Sequence, residues 1–246
     1  MQPFAKLTLT ELKLFLREPT AVFFAVIFPP LLLGVLGVIP GFREPSEDLG
    51  GQWVIDLYVP IMIAFVLAML AISVLPTFLA TYREKGILRR LSTTPVRPRS
   101  VLLAQLVMGV GIALVAVALV LGVGVVAFDT AIPGQPLGYL VAFVLAAAAS
   151  FAVGLLIAAV APSGKAASGI GSILFFPMVF LAGLYFPREA MPDIQRRVSD
   201  FTPLGAGVQA LQDASTGAWP QPLHLTVLAA TAVAASLTAA KLFRWE

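Results

Sequence analysis

Reactive chemistry in this chain would have to come from very few side chains. Cysteine is absent and histidine occurs once, as His224, so disulfides and thiolate chemistry are excluded. A single imidazole with no Cys, Asp or Glu beside it in sequence offers neither a metal ligand set nor a base with an orienting partner. It reads as an interfacial residue. The sequence contains no GxxxxGK[ST] phosphate loop, so the chain is not expected to bind nucleotide itself. Asp56 and Asp129 stand at the ends of long apolar runs, and no charge falls inside one. A proton- or sodium-driven carrier needs an intramembrane carboxylate, imidazole or pair of half-helices for its coupling ion. No catalytic residue and no metal site is expected.

The densest concentration of polar chemistry is residues 81–100, TYREKGILRRLSTTPVRPRS, set between two uncharged runs. Gly86 permits a sharp change of direction, and ILRRLSTT reads as a two-turn amphipathic helix stopped by Pro95. Ile87, Leu88 and Leu91 share one side, and Arg89 and Arg90 occupy another. Charge alone fits a basic anchor in anionic headgroups. A short helix with its own start and stop fits a docking knob for a partner.

The elements that must position this segment follow from composition. The 246 residues include 16 Lys and Arg and 13 Asp and Glu, with 59% hydrophobic residues, and the mean hydropathy is +0.94. Such a chain cannot cover a water-exposed surface, so it is read as integral to a membrane. The uncharged intervals each supply the roughly 20 apolar residues a crossing helix needs. They predict six spans, about 21–39, 58–79, 101–126, 139–160, 168–186 and 222–241, in a single transmembrane domain over 1–246. Continuous apolar runs disfavour a β-barrel, whose strands alternate. Residues 1–18 lack a secretory-signal pattern, so the first span is expected to remain in the mature protein.

Lysine and arginine fall mainly on one side: Lys6, Lys13 and Arg17, the six of 81–100, Lys165, Lys241 and Arg244, against Arg43, Arg188, Arg196 and Arg197. The positive-inside rule then places both termini and the 81–100 loop in the cytoplasm. Topology accounts for the basic balance, and no nucleic-acid partner is expected. Trp53, Tyr58, Tyr139, Tyr185 and Trp219 mark the outer span ends, and Tyr82 and Trp245 the inner ones, as interfacial rings do. Residues 4–17 form an interfacial helix candidate with Lys6, Lys13 and Arg17 opposite Phe4, Leu7, Leu12, Phe15 and Leu16. Outside, 40–53 is a Pro- and Gly-rich loop. In 187–221, Asp193 opens a short helix, and Thr202 with Pro203 supplies an N-cap and first-turn proline for a second. The pair is expected to dip into the membrane as re-entrant helices.

An apolar cargo needs an apolar, adaptable wall. Met62, Phe65, Val66, Met69 and Ser73 share a face of span two. Phe175, Phe176, Val179 and Phe180 cluster around Pro177 on span five. These are the candidate pathway residues, with bundle packing or lipid contact as the alternative. Ala167 and Gly171, with Ser168 and Ser172, give small-xxx-small spacing for a close helix contact within or between protomers.

The string EKGILRRLSTTPVRPRSVLLAQLV resembles the segment after the second span in membrane subunits of ABC-2 type ATP-binding-cassette exporters, with Glu84, Gly86, Leu91, Pro95 and Val96 at the matching positions. LAGLYFPREAMPDIQRRVSDFTPLGAGVQALQDASTG is similar to the family's stretch after span five, through Gly183, Phe186, Pro187, Met191, Pro192, Pro203 and Leu204. Met191 replaces the usual Leu and Thr202 the common Asn. The resemblance implies an all-α membrane fold with a cytoplasmic coupling helix at 86–94, and Glu84, Gly86, Ile87, Leu88, Arg89, Arg90, Leu91 and Pro95 as the ATPase-coupling residues. It also implies two copies of a cytosolic ATPase subunit carrying the ATP and Mg, and a second permease chain as homodimer or close heterodimer. The expected role is the permease of an ATP-driven exporter of a drug, antibiotic or lipid in a bacterial cytoplasmic membrane. Export of a lipid-linked polysaccharide and a non-transporting scaffold are the alternatives. A lipid-modifying enzyme ranks last.

Overall fold

The computed structural model describes residues 2–44, 53–87, 90, 98–130, 132–185, 188 and 191–243. Among these the chain is all helical. Its helices are α1 (Gln2–Leu16), α2 (Pro19–Val38), α3 (Val54–Glu84), α4 (Pro98–Phe128), α5 (Pro136–Val160), α6 (Gly164–Leu181), α7 (Asp193–Asp200), α8 (Pro203–Ser215) and α9 (Pro222–Leu242). Six of them, α2 to α6 and α9, are long and apolar enough to cross a membrane.

Proline sets most helix starts. Pro19, Pro136, Pro203 and Pro222 each occupy the first turn of their helix, where the missing N–H has no intrahelical partner to lose and φ is already helical. Thr202 caps α8 as its type predicts, its Oγ1 accepting from Gly205 N at 3.1 Å. α6 stops at Leu181, earlier than the sequence interval suggested. Gly183 there takes φ 97°, a conformation that ends helices at little cost only in glycine.

Helix α3 is the axis of the bundle. Of its most apolar window 89% is buried, against 22–56% for the other spans. Its helix runs unbroken past the expected end, so Arg83 and Glu84 sit on its last turn. Between Met69 and Val74 it widens into a π-helical segment, and α2 does the same over Phe23–Ile27. A π-segment offsets backbone carbonyls from the regular ladder, and glycines receive them here. A Cβ on Gly154 of α5 would overlap the carbonyl of Ala71, and one on Gly171 of α6 would lie 2.7 Å from that of Ile72. The small-residue spacing of α6 is thus resolved. Ala167 and Gly171 are buried within the chain, and Ser168 and Ser172 are exposed.

Helix α1 packs against α4. Phe15 is buried and Leu7 and Leu12 are half-buried, while Phe4 and Leu16, expected on the same apolar side, are exposed. The residue that joins Phe15 in the interior is Glu11.

Candidate functional site at the basic end of the bundle

Four consecutive residues at the end of α3 reach three neighbouring helices between them. Thr81 packs its hydroxyl where a Cβ on Gly164 would stand, which seats the start of α6. Tyr82 donates its hydroxyl to Glu11 Oε2 of α1 at 2.7 Å, and Gln105 of α4 donates to the same oxygen at 2.6 Å. Arg83 donates to the carbonyls of Ala159 and Ala161 at the end of α5. Glu84 Oε2 accepts from Gly164 N at 3.0 Å, beside the Ser163 hydroxyl that caps Ala166 N.

The charges suit these partners. Arg83 puts a cation on the last carbonyls of α5, and Glu84 puts a carboxylate on the first free N–H groups of α6. Each complements a helix dipole end by about 0.3–1 kcal/mol. Two adjacent side chains of opposite sign therefore hold both sides of the turn between α5 and α6. The Glu11 node is different, because its carboxylate is only 4% exposed. Burial raises its proton affinity above the ordinary carboxylate range, although the bonds from Tyr82 and Gln105 work the other way.

After Glu84 the chain turns. Gly86 takes φ 65° and donates its N–H to Arg83 at 2.9 Å. Arg90 N then donates to Gly86 O at 3.1 Å, an i to i+4 helical bond. Ile87 is half-buried and packs with Leu7 of α1, Val101 of α4 and Phe243 around Tyr82. Arg90 is exposed. Leu88, Arg89, Leu91 and Pro95 lie outside the described residues, as does most of the coupling helix expected at 86–94. Phe186 and Pro187 also lie outside them, whereas Pro192 and Pro203 stand at the starts of α7 and α8.

The candidate pathway residues divide into two groups. Met62, Phe65 and Val66 of α3 and Phe175 and Val179 of α6 are buried inside the chain. Met69 and Ser73 are half-buried, and Phe176 and Phe180 are exposed at 60% and 39%. An aromatic chain links the groups, with ring centroids 5.5 Å apart from Phe28 to Phe65, 5.5 Å from Phe65 to Phe175 and 5.7 Å from Phe175 to Phe176. Among the described residues no group of His, Cys, Asp or Glu is arranged to hold a metal.

Residues 3–215 match the family model described as ABC-2 type transporter. The chain belongs to that family. It is a multi-pass membrane permease of an ABC-type transporter, a transport domain and not a catalytic one, in a family that works with an ABC ATPase partner. No curated protein matches it significantly.

Two features of the permease were not found from sequence. Glu11 sits among apolar positions of an amphipathic helix, where a carboxylate at that place in the repeat is a visible irregularity. His224, read as an interfacial residue without acidic neighbours, is in fact 2% exposed and lies between Asp200 and Asp213. The fold supplies partners 24 and 11 positions away.

Proposed function

We propose that this permease exports an apolar or amphipathic small molecule, using ATP hydrolysed on two cytosolic ATPase subunits that dock on residues 86–94. It acts as a homodimer or close heterodimer, in a bacterial cytoplasmic membrane with both termini inside. The observation that carries this reading is the clasp at Thr81–Glu84. A segment that only anchored positive charge in headgroups would have no need of side chains pinned to α1, α4, α5 and α6. A lever does need them, because displacement at Gly86 then reaches all four helices through short, directional bonds.

Cargo contact in this account falls to the residues the chain leaves open. Phe176 and Phe180, together with half-buried Met69 and Ser73, line the pathway between protomers. Met62, Phe65, Val66, Phe175 and Val179 pack behind them and set their position. Aromatic and thioether walls suit apolar ligands, which favours small apolar cargo over a lipid-linked polysaccharide.

The test is ATP hydrolysis by the reconstituted complex. Gly86→Val, which forces a β-branched residue into positive φ, should abolish the cargo-stimulated part of the rate while leaving the ATPase's own basal rate. Stimulation unchanged in this variant and in Arg89→Glu/Arg90→Glu would remove the docking role.

A further inference from the structure

At the end of the bundle opposite Glu84, charged groups from three stretches of chain gather around one imidazole. Arg188 grips Asp200 with both terminal nitrogens, Nη1 to Oδ1 at 2.6 Å and Nη2 to Oδ2 at 2.9 Å. Oδ1 of Asp200 also lies 3.2 Å from His224 Nε2. The other ring nitrogen, Nδ1, lies 3.9 Å from Asp213 Oδ2 and has no hydrogen-bond partner among the described residues. Asp213 Oδ2 in turn accepts from Gln221 N at 3.0 Å. Asp200 ends α7, Asp213 lies in α8, and His224 is in the first turn of α9.

The two ring nitrogens thus face carboxylates on two different helices. A neutral imidazole has one N–H, so it can donate to only one of them, whereas an imidazolium donates from both. The elements packed around α9 contribute little else that titrates. α8 brings Asp213 alone. α5 brings only Tyr139, which lines a separate cavity of about 320 Å³ with Asp56 and Thr130. Arg188 reaches the cluster through Asp200. Burial alone would raise the Asp200 carboxyl, but the Arg188 hydrogen bond and charge, followed by those of His224, hold it below the ordinary aspartate range. It therefore remains an acceptor wherever imidazole titrates.

We propose that His224 is a proton-binding site that latches α7 and α8 onto α9. A proton taken from solvent converts the ring to imidazolium, which donates Nε2–H to Asp200 and sets Nδ1–H in a charge pair with Asp213 at 3.9 Å. When the proton leaves, the charge pair is lost and a buried ring nitrogen is left beside a carboxylate without a hydrogen to give it. The latch is engaged while the ring carries its second proton and weakened when it does not. Its operation requires neither cargo nor ATPase, and the test separates it from the transport reading.

The experiment is thermal unfolding of the full-length permease in lipid nanodiscs at about pH 5.5 and about pH 8, for wild type, His224→Gln and Asp213→Asn. Wild type should gain more from acid than either variant does, by ~2–4 °C for a chain of this size. A merely structural histidine would lower the melting point of His224→Gln equally at both pH values. Where His224→Gln does not purify, Asp213→Asn carries the test, because it keeps the imidazole and its bond to Asp200. A pH response as large in the variants as in wild type, or a wild type that gains nothing from acid, overturns the proposal.

Discussion

Replacing Glu11 by alanine should disable the permease from a buried position. Its Oε2 is the shared acceptor for Tyr82 and Gln105 at 2.7 and 2.6 Å, and both donors are buried, at 9% and 1% exposure. Gln105 Oε1 has no hydrogen-bond partner among the described residues, and without Glu11 the amide also loses the acceptor of its Nε2–H. Hydrogen bonds to a charged group contribute about 1.5–3 kcal/mol each, and two are lost, while relief from burying a carboxylate returns part of that. The net loss is about 2–4 kcal/mol, which lowers the melting temperature in nanodiscs by on the order of 10 °C. Glu11→Gln keeps an acceptor for Tyr82 and should cost under ~1 kcal/mol.

The pH dependence of the same site has a definite sign. Glu11 binds its proton more tightly folded than unfolded, so its contribution is fully present below the ordinary carboxylate value of 4.5 and is lost as pH rises through the elevated folded value. Wild type should therefore lose stability relative to Glu11→Gln across that window and hold a constant difference above it. An alanine variant that melts within ~1 °C of wild type, or a wild-type curve parallel to that of Glu11→Gln throughout, would refute the reasoning.

Other expectations follow from the same contacts. Gly154→Val places a side chain against the carbonyl of Ala71 and should cost ~3 kcal/mol or more by separating α5 from α3, seen as loss of monodisperse protein on size exclusion. Exchanging the charges, as Arg83→Glu with Glu84→Lys, sets both against the helix ends they now complement. It should lower stability by ~1–2 kcal/mol and reduce cargo-stimulated ATP hydrolysis, with basal hydrolysis unchanged. Asp200→Asn should cost ~2 kcal/mol at neutral pH. Because the Asp200 carboxyl is held below 3.8, that contribution is present above the ordinary aspartate range and disappears as pH falls through the lowered value, so wild type and variant should converge in acid melts.

Much of the architecture was legible because the membrane imposes simple rules. Charges at 18, 43, 56, 83, 99, 129, 165 and 241 bracket the six spans closely, since a charge is costly in hydrocarbon. The start of α7 at Asp193 and the cap and proline of α8 at Thr202 and Pro203 were readable from local hydrogen-bond chemistry. What escaped depends on tertiary proximity. The π-segment of α3 answers to Gly154 and Gly171 on other helices, and no periodicity in MLAISV announces it. His224 acquired its carboxylates only when α7, α8 and α9 folded together. Helical spacing groups Met62, Phe65 and Val66 on one face, but α3 lies at the centre of the bundle and is buried nearly all round, so spacing alone did not reveal that these residues lie inside one chain.

The absence of cysteine makes the central claim directly measurable. A single cysteine placed at Arg90, on the exposed side of the turn that follows Gly86, should crosslink to the ATPase subunit in the assembled complex, with a yield that changes between nucleotide-free and ATP-bound states. A cysteine at Val126, 86% exposed at the opposite end of α4, should not. Equal crosslinking from both positions, or none from position 90 in a complex that still hydrolyses ATP in response to cargo, would contradict the account that the 81–100 segment carries the ATPase's stroke into the bundle.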